Sequence, residues 1–241
     1  MGLAERFVAA ATQVYATVGE GAELLPTVLA RACVEVLPVA GAGLSVTDRL
    51  RIPLGASDEV ATRAERLQTT LGEGPCLAAT ASGAPQVYDL AAMAGTWPMF
   101  HHEFVAQTPY RSVASFPLRS PQHERFGALD LYSTDPDGHT LRSLLDLGPA
   151  VIGPISAILF ATPTPHSEHG IGLPPWMNTD SVIRRHNVWV AVGMMTEHGN
   201  LTSTNALDLL RAYAFSHDTT LDDTADQLTH RHLQPSTVLA S

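Results

Sequence analysis

The sequence predicts an α+β protein: an antiparallel sheet with flanking helices, followed by a small three-helix bundle. Three observations predict it. Apolar residues recur at helical spacing at both ends of the chain, short β-prone runs separated by turn signals lie between them, and residues 161–180 gather four prolines and two glycines among polar residues. The expected division is a first domain over residues 1–160, a linker over 161–180 and a helical domain over 181–241.

Leu3, Phe7, Ala10, Ala11 and Val14, then Leu24, Leu25, Val28, Leu29, Ala32 and Val36, fall at helical spacing and give two opening helices. Pro38 and the Gly41/Gly43 pair end the second. The period then changes, and Gly43 to Thr47 and Arg51 to Ala56 read as strands joined by a turn at Asp48 and Arg49. Asp58 is placed to cap a helix through Val60, Ala64 and Leu67, and Leu71 to Leu77 makes a Gly/Pro loop entering a short helix. Pro85 to Asp89 reads as a strand, Met99 to Gln107 as a helix, and Ser112 to Arg119 with Phe126 to Ser133 as a hairpin. Thr140 to Phe160 is predicted helical with kinks at Pro149 and Pro154.

The last segment reads as three amphipathic helices, built on Val188, Val192 and Met195, on Ala206, Leu210 and Ala214, and on Leu221, Ala225 and Leu228. Gly199-Asn200 offers a left-handed stop, Thr202 a cap, and Thr220-x-x-Asp223 a capping pair. So small a bundle calls for docking on the larger domain or for oligomerisation.

The formal charge of −10 argues against bulk attraction to nucleic acid, so any RNA contact has to be local and geometric. All 14 basic residues are arginine, which suits phosphate forks and base stacking but also follows from codon usage. Cys33 and Cys76 form no disulfide framework and fit a reducing compartment. Met1 to Val18 carries Glu5 and Arg6 and lacks an export layout, and no apolar run is long enough to span a membrane, so a cytoplasmic chain without membrane partners is expected.

Leu71-Gly-Glu-Gly-Pro-Cys76, Pro85 to Leu90, Trp97-Pro98, Ser112 to Leu118 and Gly127-Ala-Leu-Asp-Leu-Tyr-Ser133 resemble the landmarks of a GAF domain over about residues 20–160. The resemblance implies a central antiparallel sheet with helices on one face and a small-molecule cavity on the other. Tyr88, Trp97, Phe100, Phe116 and Tyr132 are candidates to line that cavity, although aromatic residues at such positions are often plain core. Cys76 joins them, at the start of a helix whose dipole would favour a thiolate; burial would instead leave it inert.

Ala191-Val192-Gly193, then Thr202, Ala206, Leu210-Arg211 and Ala214, then Leu221, Thr224 and Ala225, resemble the three-helix pattern of an ANTAR domain. Val192 stands where that family usually has lysine, and Thr224 where valine is common. The resemblance implies a homodimer that grips paired stem-loops in a nascent transcript and promotes transcription antitermination. Residues 181–241 carry four arginines against six carboxylates, a formal −2, and five histidines that add charge below about pH 6.5.

The candidate RNA-binding residues are Arg184, Arg185, Gly193, Arg211 and Thr220. Arg211 is expected on the flank of the apolar stripe, free to fork onto phosphate, with a surface ion pair to Asp208 as the alternative. Arg184 and Arg185 are expected before the first bundle helix, holding phosphate or only solvating the linker. Gly193 costs about 1 kcal/mol in a helix and asks for a close neighbour, helix or RNA. Trp189 and Tyr213 offer stacking surfaces, Trp189 more readily as an interface.

His101-His102, His166-x-x-His169 and His230-x-His232 lack companion ligands at zinc spacing, and no catalytic or cofactor motif is present, so no metal, cofactor or catalysis is expected. Two functions follow: a ligand-sensing, RNA-binding regulator, or an interaction and dimerisation module that has lost RNA binding. A third, an enzyme like the GAF-fold methionine-sulfoxide reductases, needs cooperating cysteines.

Overall fold

A computed structural model describes residues 1–19, 21–47, 50–161, 166–167, 170–171, 174–177 and 180–240. The chain runs through α1 (Leu3–Val18), a 3-10 turn at Ala22–Leu24 and α2 (Leu25–Val36) into strands β1 (Gly41–Thr47) and β2 (Arg51–Ala56). The expected turn at Asp48 and Arg49 lies outside the described residues. Next come α3 (Glu59–Leu71), α4 (Pro75–Ser82), β3 (Gln86–Asp89), α5 (Leu90–Thr96) and α6 (Pro98–Gln107). The hairpin of β4 (Ser112–Arg119) and β5 (Arg125–Ser133) forms as predicted, followed by α7 (His139–Arg142) and α8 (Pro149–Ala161). Asp58 caps α3 by accepting from the Val60 and Ala61 N–H groups at 2.8 Å.

These five strands form an antiparallel sheet in the order β2-β1-β5-β4-β3. Side-chain alternation gives the sheet two different faces. Ala42, Leu44, Ala114, Phe116, Leu118, Leu129 and Leu131 face one core with α1, α2 and α8. Val113 and Tyr132 face the other with α3, α5 and α6. Helices therefore cover both faces, where the GAF resemblance implied helices on one and a cavity on the other.

The expected helix over Thr140 to Phe160 divides into α7 and α8. Pro149 has no N–H to continue the ladder and restricts Gly148, and the chain turns there with the Gly148 N–H on the Leu144 carbonyl at 2.7 Å. Pro154 stays inside α8. The segment read as a linker is not free at its far end: β6 (His166–Ser167) pairs with β7 (Gly170–Ile171), and a 3-10 turn at Pro175–Met177 buries Trp176 in the first core. The Trp176 indole N–H donates to the Leu159 carbonyl at 2.8 Å. His169, one half of a weighed histidine pair, lies outside the described residues.

Among the described residues the C-terminal region holds four helices where three were expected: α9 (Asp180–Gly199), α10 (Ser203–Ser216), α11 (Leu221–Thr229) and the short α12 (Pro235–Leu239). Leu233 and Val238 close the bundle core that Val188, Met195, Leu210 and Leu228 begin. Thr202 and Thr220 cap α10 and α11, and Asn200 takes the left-handed conformation after α9 at φ 50°. Leu50, at the foot of β2, is part of this same core, so the bundle docks on the sheet's edge strand.

Candidate functional site

Arg51 opens β2 and is 3% exposed, a guanidinium sealed between the sheet and α3–α4. Its Nε donates to Cys76 Sγ at 2.6 Å, and Nη1 donates to the Glu65 carbonyl at 2.7 Å and to Thr69 Oγ1 at 3.0 Å. Nη2 pairs closely with the Glu65 carboxylate and stands 3.5 Å from Asp130. Asp130 in turn accepts from Gln68 Nε2 at 2.6 Å and from the Ser115 hydroxyl, while the Tyr132 hydroxyl donates to Glu65. Gln68 also accepts the Cys76 N–H at 3.0 Å.

Local sequence dictates this assembly. Residues 65, 68 and 69 lie on one face of α3, and Ser115, Asp130 and Tyr132 point to the same face of β4 and β5 because Ser115 pairs with Asp130 and Val113 with Tyr132. Gly43 on β1 gives the Glu65 side chain its room, since a Cβ there would collide with the carboxylate.

One guanidinium thus faces two carboxylates out of reach of water. Burial first, and the field of Glu65 second, raise the Asp130 carboxyl to about 7 against the pull of Arg51. Burial alone would lower Arg51, but the charges around it keep it above its ordinary value. Burial likewise pushes the Cys76 thiol up, leaving it neutral, so the acidic groups that face Arg51 are carboxylates, and Asp130 is shared between its two forms near neutrality. The arrangement can hold or release one proton at Asp130; it offers no nucleophile to a substrate.

Of the six residues expected to line a cavity, Cys76 and Tyr132 belong to this network. Tyr88 and Trp97 are half-buried beside it with ring centroids 4.7 Å apart, and Phe100 is fully buried, 6.4 Å from Trp97. Phe116 corrects the expectation. It pairs with Leu129 rather than falling in step with Tyr132, so it points to the opposite face and packs over Gly148. Burial of Cys76 fits its inert reading. Cys33 lies in the core of the opposite face, so the sheet separates the two thiols.

Of the residues expected to bind RNA, Arg185 and Arg211 are partly or fully buried where the bundle meets the rest of the chain, and Gly193 is not. Arg184 and Arg185 lie within the first bundle helix, not before it, because α9 begins at Asp180. Arg184 pairs with Asp223 and, at 3.0 Å, with Asp226; Arg185 is buried, 3.3 Å from Asp222. Thr220 is spent on its cap, accepting the Asp223 N–H at 3.0 Å. Gly193 faces open space with nothing near a Cβ position, which overturns close helix packing as its reason. Trp189 is 40% exposed and Tyr213 stacks on His217 at 3.9 Å.

Arg211 is not free on a flank. It lies 3.5 Å from Asp208 and packs directly on Gly72, the left-handed cap that ends α3 at φ 71°. The Leu221 N–H donates across the same seam to Thr70 Oγ1 at 3.3 Å. A Gly72→Ala exchange should lower stability by about 1–2 kcal/mol from the left-handed backbone alone, and more by displacing Arg211. Thermal unfolding of the variant measures this, and an unchanged midpoint contradicts the packing.

Sequence reasoning missed Arg51, Glu65, Gln68, Ser115 and Asp130. The available signal was a charge inside an apolar strand, Arg51 in one and Asp130 in another, because such a residue is tolerated only when paired.

No family model matches this chain, and no curated protein matches it. Solved structures do resemble it in part. A GAF sensor protein from Burkholderia vietnamiensis is 18% identical over 65% of this chain and 89% of its own, with a TM-score of 0.41. The GAF domain of a phosphoenolpyruvate-protein phosphotransferase from Coxiella burnetii is 16% identical over 66% of this chain and 95% of its own, with a TM-score of 0.43. A free methionine-R-sulfoxide reductase from Neisseria meningitidis, solved with its substrate, is 18% identical over 67% and 95%, with a TM-score of 0.39. At these identities and scores the likenesses concern the fold and say nothing of function.

Proposed function

We propose that this chain is a signal-responsive regulator in which a GAF-like sheet domain controls the presentation of a C-terminal RNA-binding bundle acting in transcription antitermination. The observation that carries the reading is the docked seam. Leu50, just before the sheet's edge strand, completes the bundle core, and Arg211, which falls on the resembled pattern, packs against Gly72. A bundle docked in this way keeps its arginine rim from a transcript, and a signal that favours the undocked arrangement releases it; the signal acts only through its difference in affinity for the two. The reading includes action in the cytoplasm as a homodimer, and no catalytic step. Among the described residues, no helix is long and apolar enough to cross a membrane.

The test is a filter-binding titration of the full chain with a two-hairpin RNA and an unstructured control. Leu50→Ala removes apolar contact from the seam and should raise affinity for the two-hairpin RNA about tenfold or more, with the control unmoved. If neither protein distinguishes the two RNAs, the proposal fails.

A second reading, an interaction module without RNA binding, draws on one observation: Asp222, Asp223 and Asp226 of α11 occupy Arg184 and Arg185. RNA affinity unchanged by Arg211→Ala favours it.

A further inference from the structure

The side of α9 that faces away from the bundle core carries an exposed apolar stripe. Val188, Ala191, Val192 and Met195 point inward and are buried. On the outer side Trp189 and Val190 are 40% and 41% exposed, Met194 is half-buried, and His186 and Glu197 are exposed at the two ends. At about 3.6 residues per turn these positions and Gly193 share one face of the helix.

Gly193 lies in the middle of that face. A glycine inside a helix costs about 1 kcal/mol against alanine, and nothing stands within 4 Å of where its Cβ would be, so packing among the described residues does not account for it. The missing side chain leaves a notch beside Trp189 and Val190 into which a second helix can sink.

The stripe is also symmetric. Positions 186 and 197, 189 and 194, and 190 and 193 lie equally far from the point between Ala191 and Val192. An antiparallel copy of α9, related by a two-fold axis through that point, therefore sets His186 against Glu197, Trp189 against Met194 and Val190 against Gly193, each pair occurring twice. The chemistry of each pair is complementary: an imidazole N–H donates to a carboxylate, a thioether meets an aromatic ring, and a branched side chain fills the notch. A parallel copy would set Glu197 on Glu197 and leave the two notches facing each other.

We propose that the outer stripe of α9 pairs with the same stripe of a second copy of this chain, in antiparallel register about the point between Ala191 and Val192. The inference rests on the homodimer of the proposed regulator and not on its RNA recognition. The stripe is open while the bundle is docked on the sheet, so pairing needs no undocking.

The test is sedimentation equilibrium of the full chain without RNA at about 1–100 µM, the range that suits an interface this small. A reversible monomer–dimer equilibrium is the expected result. Trp189→Ser and Gly193→Gln should each weaken it about tenfold or more. Glutamine is a better helix former than glycine, so the loss in Gly193→Gln is not a loss of fold. His186→Glu sets a carboxylate against Glu197 and should weaken pairing about fivefold, and adding Glu197→Arg should restore it. A chain that stays monomeric, or a dimer that neither Trp189→Ser nor Gly193→Gln weakens, overturns the interface, and a double variant no tighter than His186→Glu overturns its register. A monomer whose affinity for two-hairpin RNA falls in Trp189→Ser gives the stripe to RNA, which overturns the dimer and leaves the RNA reading intact. Dimerisation that these variants weaken, in a chain that does not distinguish the two RNAs, supports the interface and sinks the RNA reading alone.

Discussion

Replacing Arg51 with methionine is expected to destabilise the fold by about 3–5 kcal/mol, because it leaves two buried carboxylates without their counter-charge. Methionine preserves most of the side chain's length, so the loss reports charge and hydrogen bonding more than volume. Glu65 loses its closest partner, and Cys76, Thr69 and the Glu65 carbonyl lose their donor. The effect should reach the bundle as well, since Arg51, the first residue of β2, directly follows Leu50, and the two anchor the start of that strand to different interiors. Urea unfolding of Arg51→Met, Glu65→Gln and the double variant measures the coupling. The double variant should lose clearly less than the sum of the singles, because Glu65→Gln removes one of the stranded charges. Strict additivity, or a loss below about 1 kcal/mol for Arg51→Met, contradicts the network.

Much of the architecture was legible where one physical signal dominated. Asp58, Thr202 and Thr220 announced helix starts because a short oxygen-bearing side chain before an apolar-periodic run has a defined use at a helix end. The β4–β5 hairpin was legible from two apolar runs flanking a polar turn. Strand parity was not. Whether Phe116 shares a face with Tyr132 depends on the pairing register, and a shift of one residue reverses the answer. The buried network was hidden for a related reason, as Arg51, Glu65 and Asp130 are far apart in sequence and only the stacking of α3 on the sheet brings them together. Arg211 was assigned its helix and face, but the periodicity of α10 carries no information about what packs against it, and Gly72 is 139 positions away.

Asp130 makes the stability of the chain depend on pH in a direction opposite to that of most carboxylates. Its carboxyl is raised to about 7 in the folded protein, by burial first, from an ordinary value of 3.8. Between those values the native state holds a proton that the unfolded chain has released, so raising the pH favours unfolding. The contribution of Asp130 is fully present below about pH 4, declines by up to about 1 kcal/mol per pH unit from there to about 7, and is constant above. The groups facing it are Arg51 from β2, Glu65 and Gln68 from α3, Cys76 from α4, Ser115 from β4 and Tyr132 from β5; the Ser115 hydroxyl can turn to accept the proton when it is present. Asp130→Asn fixes an uncharged group there and should remove this slope. Chemical unfolding of both proteins from pH 4 to 8 should therefore show the variant gaining on the wild type as the pH rises and the two curves running parallel only beyond 7. Parallel curves across the whole range would mean that Asp130 is ionised throughout, with Arg51 fully compensating two charges. The same titration lowers the cost of opening the space around Arg51, so the wild-type seam should also loosen between pH 6 and 8, read as a fall in amide protection factors in α10 and α11 after correction for the intrinsic pH dependence of exchange, while those of Asp130→Asn should stay level.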